Sequence, residues 1–123
     1  MLQPLAIAFY ERVMPGSHLL NRLQDLKYRV LAVNNAAQLT AIVRRESPLI
    51  VFLDLEVRGD VCDAIQRIKA DPTTTHVPMV AFAPDDKSDL FEAAQKAGAS
   101  LVVGESRLAS HLPQLLEQAL QVD

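Results

Sequence analysis

Cysteine is almost missing from this chain: Cys62 is the single one in 123 residues. An internal disulfide and a multi-cysteine metal site are therefore excluded, which fits a reducing compartment. Without a C-x-x-C partner, Cys62 reads as a small packing residue and not as a redox group. Glycine is scarce too, with four in all. The chain has little with which to cradle a nucleotide phosphate: it shows no Walker loop, no G-x-G-x-x-G after its first apolar segment and no G-x-S-x-G around a serine nucleophile. No apolar run approaches the roughly eighteen residues that a membrane span needs, and Met1 to Pro15 lacks a basic segment followed by a greasy one. We therefore expect a cytoplasmic chain with no membrane partner. Positive charge is short as well, since 12 Lys and Arg against 15 Asp and Glu leave a net charge of -3. That balance leaves no electrostatic footprint for nucleic acid. His18, His76 and His111 are too far apart to read as a metal pair, and each reads as a surface residue.

What is present is a repeated alternation of short apolar runs with amphipathic segments. The most informative run is P-L-I-V-F-L-D-L-E, Pro48 to Glu56. Leu49 to Leu53 is unbroken, β-branched and bulky, which predicts a strand covered on both faces. Asp54 ends it. An acid at the carboxyl end of a central parallel strand stands in the crevice where open α/β sheets hold their sites, although the same residue can serve only to cap the following turn.

The rest of the chain repeats this unit. Leu5 to Phe9 predicts a first strand, Pro15 to Ser17 a loop, and Ser17 the cap of a helix carrying Leu19, Leu20, Leu23 and Leu26. Tyr28 to Val33 predicts a second strand, Asn34 and Asn35 a turn, and Ala36 to Arg45 a helix. Val61 to Ala70 predicts a third helix, stopped by Asp71-Pro72. Val77 to Ala83 predicts a fourth strand; Asp85 to Ser88 offer caps for a helix that Gly98 ends in a left-handed conformation. Leu101 to Val103 predicts a short fifth strand, and a last helix carries Leu112, Leu115, Leu116 and Leu120, with Pro113 tolerated in its first turn. Five strand–helix pairs with short connections imply one domain over residues 1–123: a three-layer α/β sandwich with a five-stranded parallel sheet and five helices.

Three segments carry a resemblance. P-L-I-V-F-L-D-L-E-V-R-G, I-K-A-D-P-T-T-T-H-V-P-M-V-A-F-A and A-A-Q-K-A-G-A-S are similar in order and spacing to the receiver domains of bacterial two-component response regulators, which share the flavodoxin-like fold. The resemblance implies that Asp54 stands where receivers accept a phosphoryl group from a histidine kinase. It also implies a regulatory module, not an enzyme, whose partners are signalling proteins such as a kinase or an output domain. A homodimer through the fourth helix, fifth strand and fifth helix is a further implication, and Leu108 and Val122 are apolar where a solvated helix needs no apolar residue.

The pocket departs from that family. Phosphoryl transfer to a carboxylate needs a divalent cation held by oxygen ligands. Where receivers place two acids after the first strand, this chain has Phe9 and Tyr10. Glu11 stands one place further on, as a reshaped ligand or simply a solvated glutamate. Ala83 replaces the threonine or serine that ends the fourth strand, and it has no hydroxyl to offer a phosphoryl oxygen. Glu105 replaces the lysine that ends the fifth. Two unit charges about 5 Å apart interact by roughly 3 kcal/mol at an effective dielectric near 20, so exchanging attraction for repulsion disfavours a phosphorylated Asp54 by up to about 6 kcal/mol before solvent screening. Arg58 stands on the following loop, either pairing with Asp54 or Glu105 or solvated. Glu56 and Asp85 flank the site at positions that tune phosphoryl lifetime in receivers.

These departures predict a degenerate receiver that binds proteins and takes no cofactor. A second reading keeps Asp54 as a phosphoacceptor, with magnesium held by Glu11, Glu56 or Asp85. A third makes the crevice lined by Phe9, Tyr10 and Ala83 a small-molecule site.

Overall fold

The computed structural model describes residues 4–10, 13–56 and 61–120. Five strands, β1 (Leu5–Phe9), β2 (Arg29–Val33), β3 (Ile50–Asp54), β4 (Met79–Ala83) and β5 (Leu101–Gly104), form one parallel sheet in the order β2-β1-β3-β4-β5. The helices are α1 (Val13–Asp25), α2 (Ala36–Glu46), α3 (Val61–Ala70), α4 (Ser88–Ala97), α5 (Glu105–Ser110) and α6 (Leu112–Leu120). The chain runs outward from β1 to β2 and then returns past β1 to β3, so strand order reverses between β1 and β3 and opens a crevice at their carboxyl ends.

Each buried strand feeds two cores, because successive side chains leave a strand on opposite faces. Ile7, Phe9, Val51, Leu53 and Met79 pack with α2, α3 and α4, whereas Ala6, Ala8, Ile50, Phe52 and Phe82 pack with α1, α5 and α6. Every residue of β1, β3 and β4 is buried. The uninterrupted apolar runs follow directly, since no position on these strands faces water.

Local chemistry sets the helix ends. Asn35 caps α2 by accepting the Ala37 N–H at 2.8 Å. Gly98 closes α4 at φ +113°, a conformation that a β-carbon would strain, and its N–H reaches the carbonyls of Ala94 and Gln95. Thr74, in the turn after α3, is buried and donates its hydroxyl to the Ile68 carbonyl at 2.7 Å.

Several expectations need correction. The segment Pro15 to Ser17 lies inside α1 and is not a loop, because Pro15 falls in the first turn, where missing amide donors cost nothing. The carboxyl-terminal part holds two helices where one was expected. Pro113 cannot donate to a preceding carbonyl, and the helix breaks at His111 into α5 and α6. Leu108 is 3% exposed, so its apolar character serves the core beneath α5 and not a partner surface. Leu49, read as the start of β3, precedes it and is 43% exposed. Asp85 to Ser88 do not cap α4: Lys87 is at the N-cap with no side-chain hydrogen bond. Val122 lies outside the described residues.

Candidate functional site

Asp54 is the one carboxylate on any of the five strands. Its neighbours across the sheet are fixed by register: Phe9 stands beside Leu53, Asp54 beside Phe82, and Ala83 beside Gly104. The side chain is fully buried, and its Oδ1 accepts the Glu56 N–H at 2.9 Å. The turn-capping role expected as one alternative is thus realised, and Glu56 itself points to solvent. Burial of a carboxylate is tolerated where its lone pairs meet donors.

Among the described residues, the remaining candidate positions are not gathered into a cluster of oxygen ligands. Phe9 and Ala83 are fully buried in the core on the α2–α4 side. Tyr10 is half-buried, packs against the core on the other side and donates its backbone N–H to the Val33 carbonyl at 2.9 Å. The three therefore do not form one wall of a crevice. Glu11 and Arg58 lie outside the described residues. Among the described residues, no three of His, Cys, Asp and Glu stand close enough together to hold a metal ion. Beside Asp54, Phe9 and Ala83 carry no side-chain oxygen with which to ligand a hard divalent cation.

Two features escaped sequence reasoning. Asp85, after β4, accepts the Ser106 N–H at 3.2 Å and the Ser106 hydroxyl as well, so the β4–α4 loop is strapped to the start of α5. These bonds, led by the one from the Ser106 hydroxyl, hold the Asp85 carboxyl below its usual range. The strap passes over Gly104, where a β-carbon would come within 2.2 Å of Asp85 Oδ1. Glycine is required there for close approach. The second feature is Arg22 of α1, which lines a small cavity together with Glu105 and Leu108. Its Nε is buried with no hydrogen-bond partner among the described residues. The residue at the family's lysine position, Glu105, is half-buried and turned toward this α1 side. The helical spacing of Arg22 among leucines gave no hint of that role.

No family model matches the chain, and no curated protein matches it. Solved structures do. The receiver domain of a sensor histidine kinase from Pseudomonas aeruginosa, determined with a magnesium ion coordinated in its active-site cleft, superposes with a TM-score of 0.87 at 18% identity, over 97% of this chain and 98% of that one. The receiver domain of NtrX from Brucella abortus gives 0.83 at 20% identity, over 96% and 99%. A candidate response regulator from Chloroflexus aurantiacus gives 0.83 at 15%, over 94% and 99%. The structure neighbours are thus response regulator receiver domains, and the chain has their flavodoxin-like fold. Among the described residues, no helix is long and apolar enough to cross a membrane.

Proposed function

We propose that residues 1–123 act as one receiver-like domain of a two-component signalling protein, a non-enzymatic module that docks on protein partners and has lost magnesium-dependent phosphorylation. The observation that carries this reading is the burial of Phe9 and Ala83 at the strand ends flanking Asp54. Positions that would supply a metal-binding carboxylate and a hydroxyl in a working receiver are committed to the hydrophobic core. Glu105 supports it as well, because the position where receivers carry a lysine offers no cation to a phosphoryl group here. The strap between Asp85 and Ser106 also supports it, since it engages one of the three carboxylates, Glu11, Glu56 and Asp85, from which the phosphorylating alternative draws its ligand. Partners of the kind suggested by the fold neighbours are a histidine kinase or an output domain, with a homodimer through α4, β5 and the carboxyl-terminal helices α5 and α6 as a further arrangement.

Beryllofluoride with magnesium tests this reading. Calorimetric titration of the full chain is expected to give no saturable heat, and amide spectra of β3 and β4 are expected to stay unchanged. Saturable binding that disappears in Asp54→Asn would establish the phosphorylating alternative instead.

A further inference from the structure

Among the described residues, β2 is an outermost strand and pairs only with β1. The Arg29 N–H donates to the Pro4 carbonyl at 2.8 Å, and the Val33 carbonyl accepts the Tyr10 N–H. Backbone polarity alternates along a strand, so the N–H and C=O groups of Val30 and Ala32 point away from the sheet. Among the described residues, no backbone group outside the β1–β2 ladder pairs with either of them. Exposed edges are normally blunted by short length, charged side chains, proline, a bulge or an inward charge, and within β2 the one charged side chain is Arg29 at its first position. R-V-L-A-V has no proline, and its register with β1 is continuous from Leu5 opposite Arg29 to Phe9 opposite Val33.

The edge has a groove beside it. A cavity of about 320 Å³ lies between β2 and α2, with the half-buried Leu31 and Ile42 exposed to it and Asn34, Gln38 and Arg45 around them. Charge on this part of the chain is one-sided. Residues 26–45 contain Lys27, Arg29, Arg44 and Arg45 and no acid, in a protein whose net charge is -3. Arg44 is bound to Asp71 and Arg45 to Glu46 through one nitrogen, while Lys27 and Arg29 are exposed.

We propose that the β2 edge is a strand-addition site for an extended, acidic segment of a partner protein. The segment would hydrogen-bond to Val30 and Ala32, lower an apolar side chain onto Leu31 and Ile42, and set its carboxylates near Arg29 and Arg45. Main-chain bonds supply affinity, and the charge pattern supplies selectivity. A second copy of this chain fits less well, because self-pairing joins two edges whose exposed charges at the start of β2, Lys27 and Arg29, are both cationic. The inference concerns docking and is independent of the chemistry at Asp54, so either can fail alone.

The test uses the full chain and a short, capped, fluorescently labelled peptide of alternating valine and glutamate, with a valine–lysine peptide as control. The glutamate peptide is expected to bind and to shift the amide resonances of residues 30–34, and the lysine peptide is expected not to bind. Ala32→Pro removes one outward N–H without touching the β1–β2 ladder and is expected to weaken binding about fivefold or more, roughly the worth of a lost hydrogen bond. Arg29→Glu is expected to reverse the preference between the two peptides. Equal binding of both peptides, unmoved resonances in residues 30–34, or full affinity in Ala32→Pro would overturn the proposal. A concentration-dependent dimer abolished by Ala32→Pro would overturn it in favour of self-association.

Discussion

β1 and β3 lie side by side in register, Phe9 against Leu53, and each is buried along its whole length. They end differently. β3 finishes on an aspartate that receives a backbone N–H, whereas β1 finishes on an aromatic ring that fills the core on the α2–α4 side. The same sheet can therefore be built whether or not its strand ends carry chemistry. Burial along the strands fixes the architecture; the last residue of each strand is where β1 and β3 differ in chemistry.

The comparison breaks first at Phe9. If its ring is structural, Phe9→Ala costs about 3–5 kcal/mol in urea unfolding, in the range of large-to-small core substitutions, and Tyr10→Ala, half-buried, costs clearly less. Similar losses at the two positions would mean that β1 ends in an open mouth. At the end of β3 the effect is smaller. Asp54→Ala removes the acceptor for the Glu56 N–H and is expected to cost about 1 kcal/mol, whereas Asp54→Asn keeps an oxygen in place and costs less. A larger loss in the asparagine variant would point to a role for the charge itself.

Acids away from the strands sharpen the contrast, because their partners are polar. Asp71, between α3 and β4, takes the Thr73 N–H and hydroxyl and the Arg44 guanidinium, which together lower its carboxyl from 3.8 to about 2. A lowered folded-state value means that this contribution to stability is present above about pH 4 and is lost as pH falls toward 2. In a carboxyl-detected NMR titration, Thr73→Val and Arg44→Gln are each expected to raise the midpoint part of the way back. Asp85 responds in the same direction. Ser106→Ala is expected to return its titration toward the usual carboxylate range, and an unchanged midpoint would show that the strap to α5 does not persist in solution.

Most of the architecture was legible because the relevant signals are local. The apolar run closed by Asp54, the turn at Asn34 and Asn35 before α2 and the Gly98 stop each depend on a few neighbouring residues; the Gly98 stop is as read, β3 starts one residue later than read, and Asn35 proves to be a helix cap as well. Signals that need two distant elements were not legible. Ser106 meets Asp85 across 21 positions, and nothing in either local sequence announces the pair. The burial of Leu108 depends on where α5 lands, and that depended on a helix break at His111 that the leucine spacing after it conceals. At the site, the resemblance identified the positions to inspect, but their outcome turned on packing. Phe9 could have faced the crevice or the core, and a single residue at the end of a strand has no periodicity to decide it.

Acetyl phosphate with magnesium tests the central claim most directly, read by intact-protein mass spectrometry on the wild-type chain and on Asp54→Asn. The account predicts that neither protein gains the mass of a phosphoryl group. A gain in the wild type that is absent in the asparagine variant would contradict it.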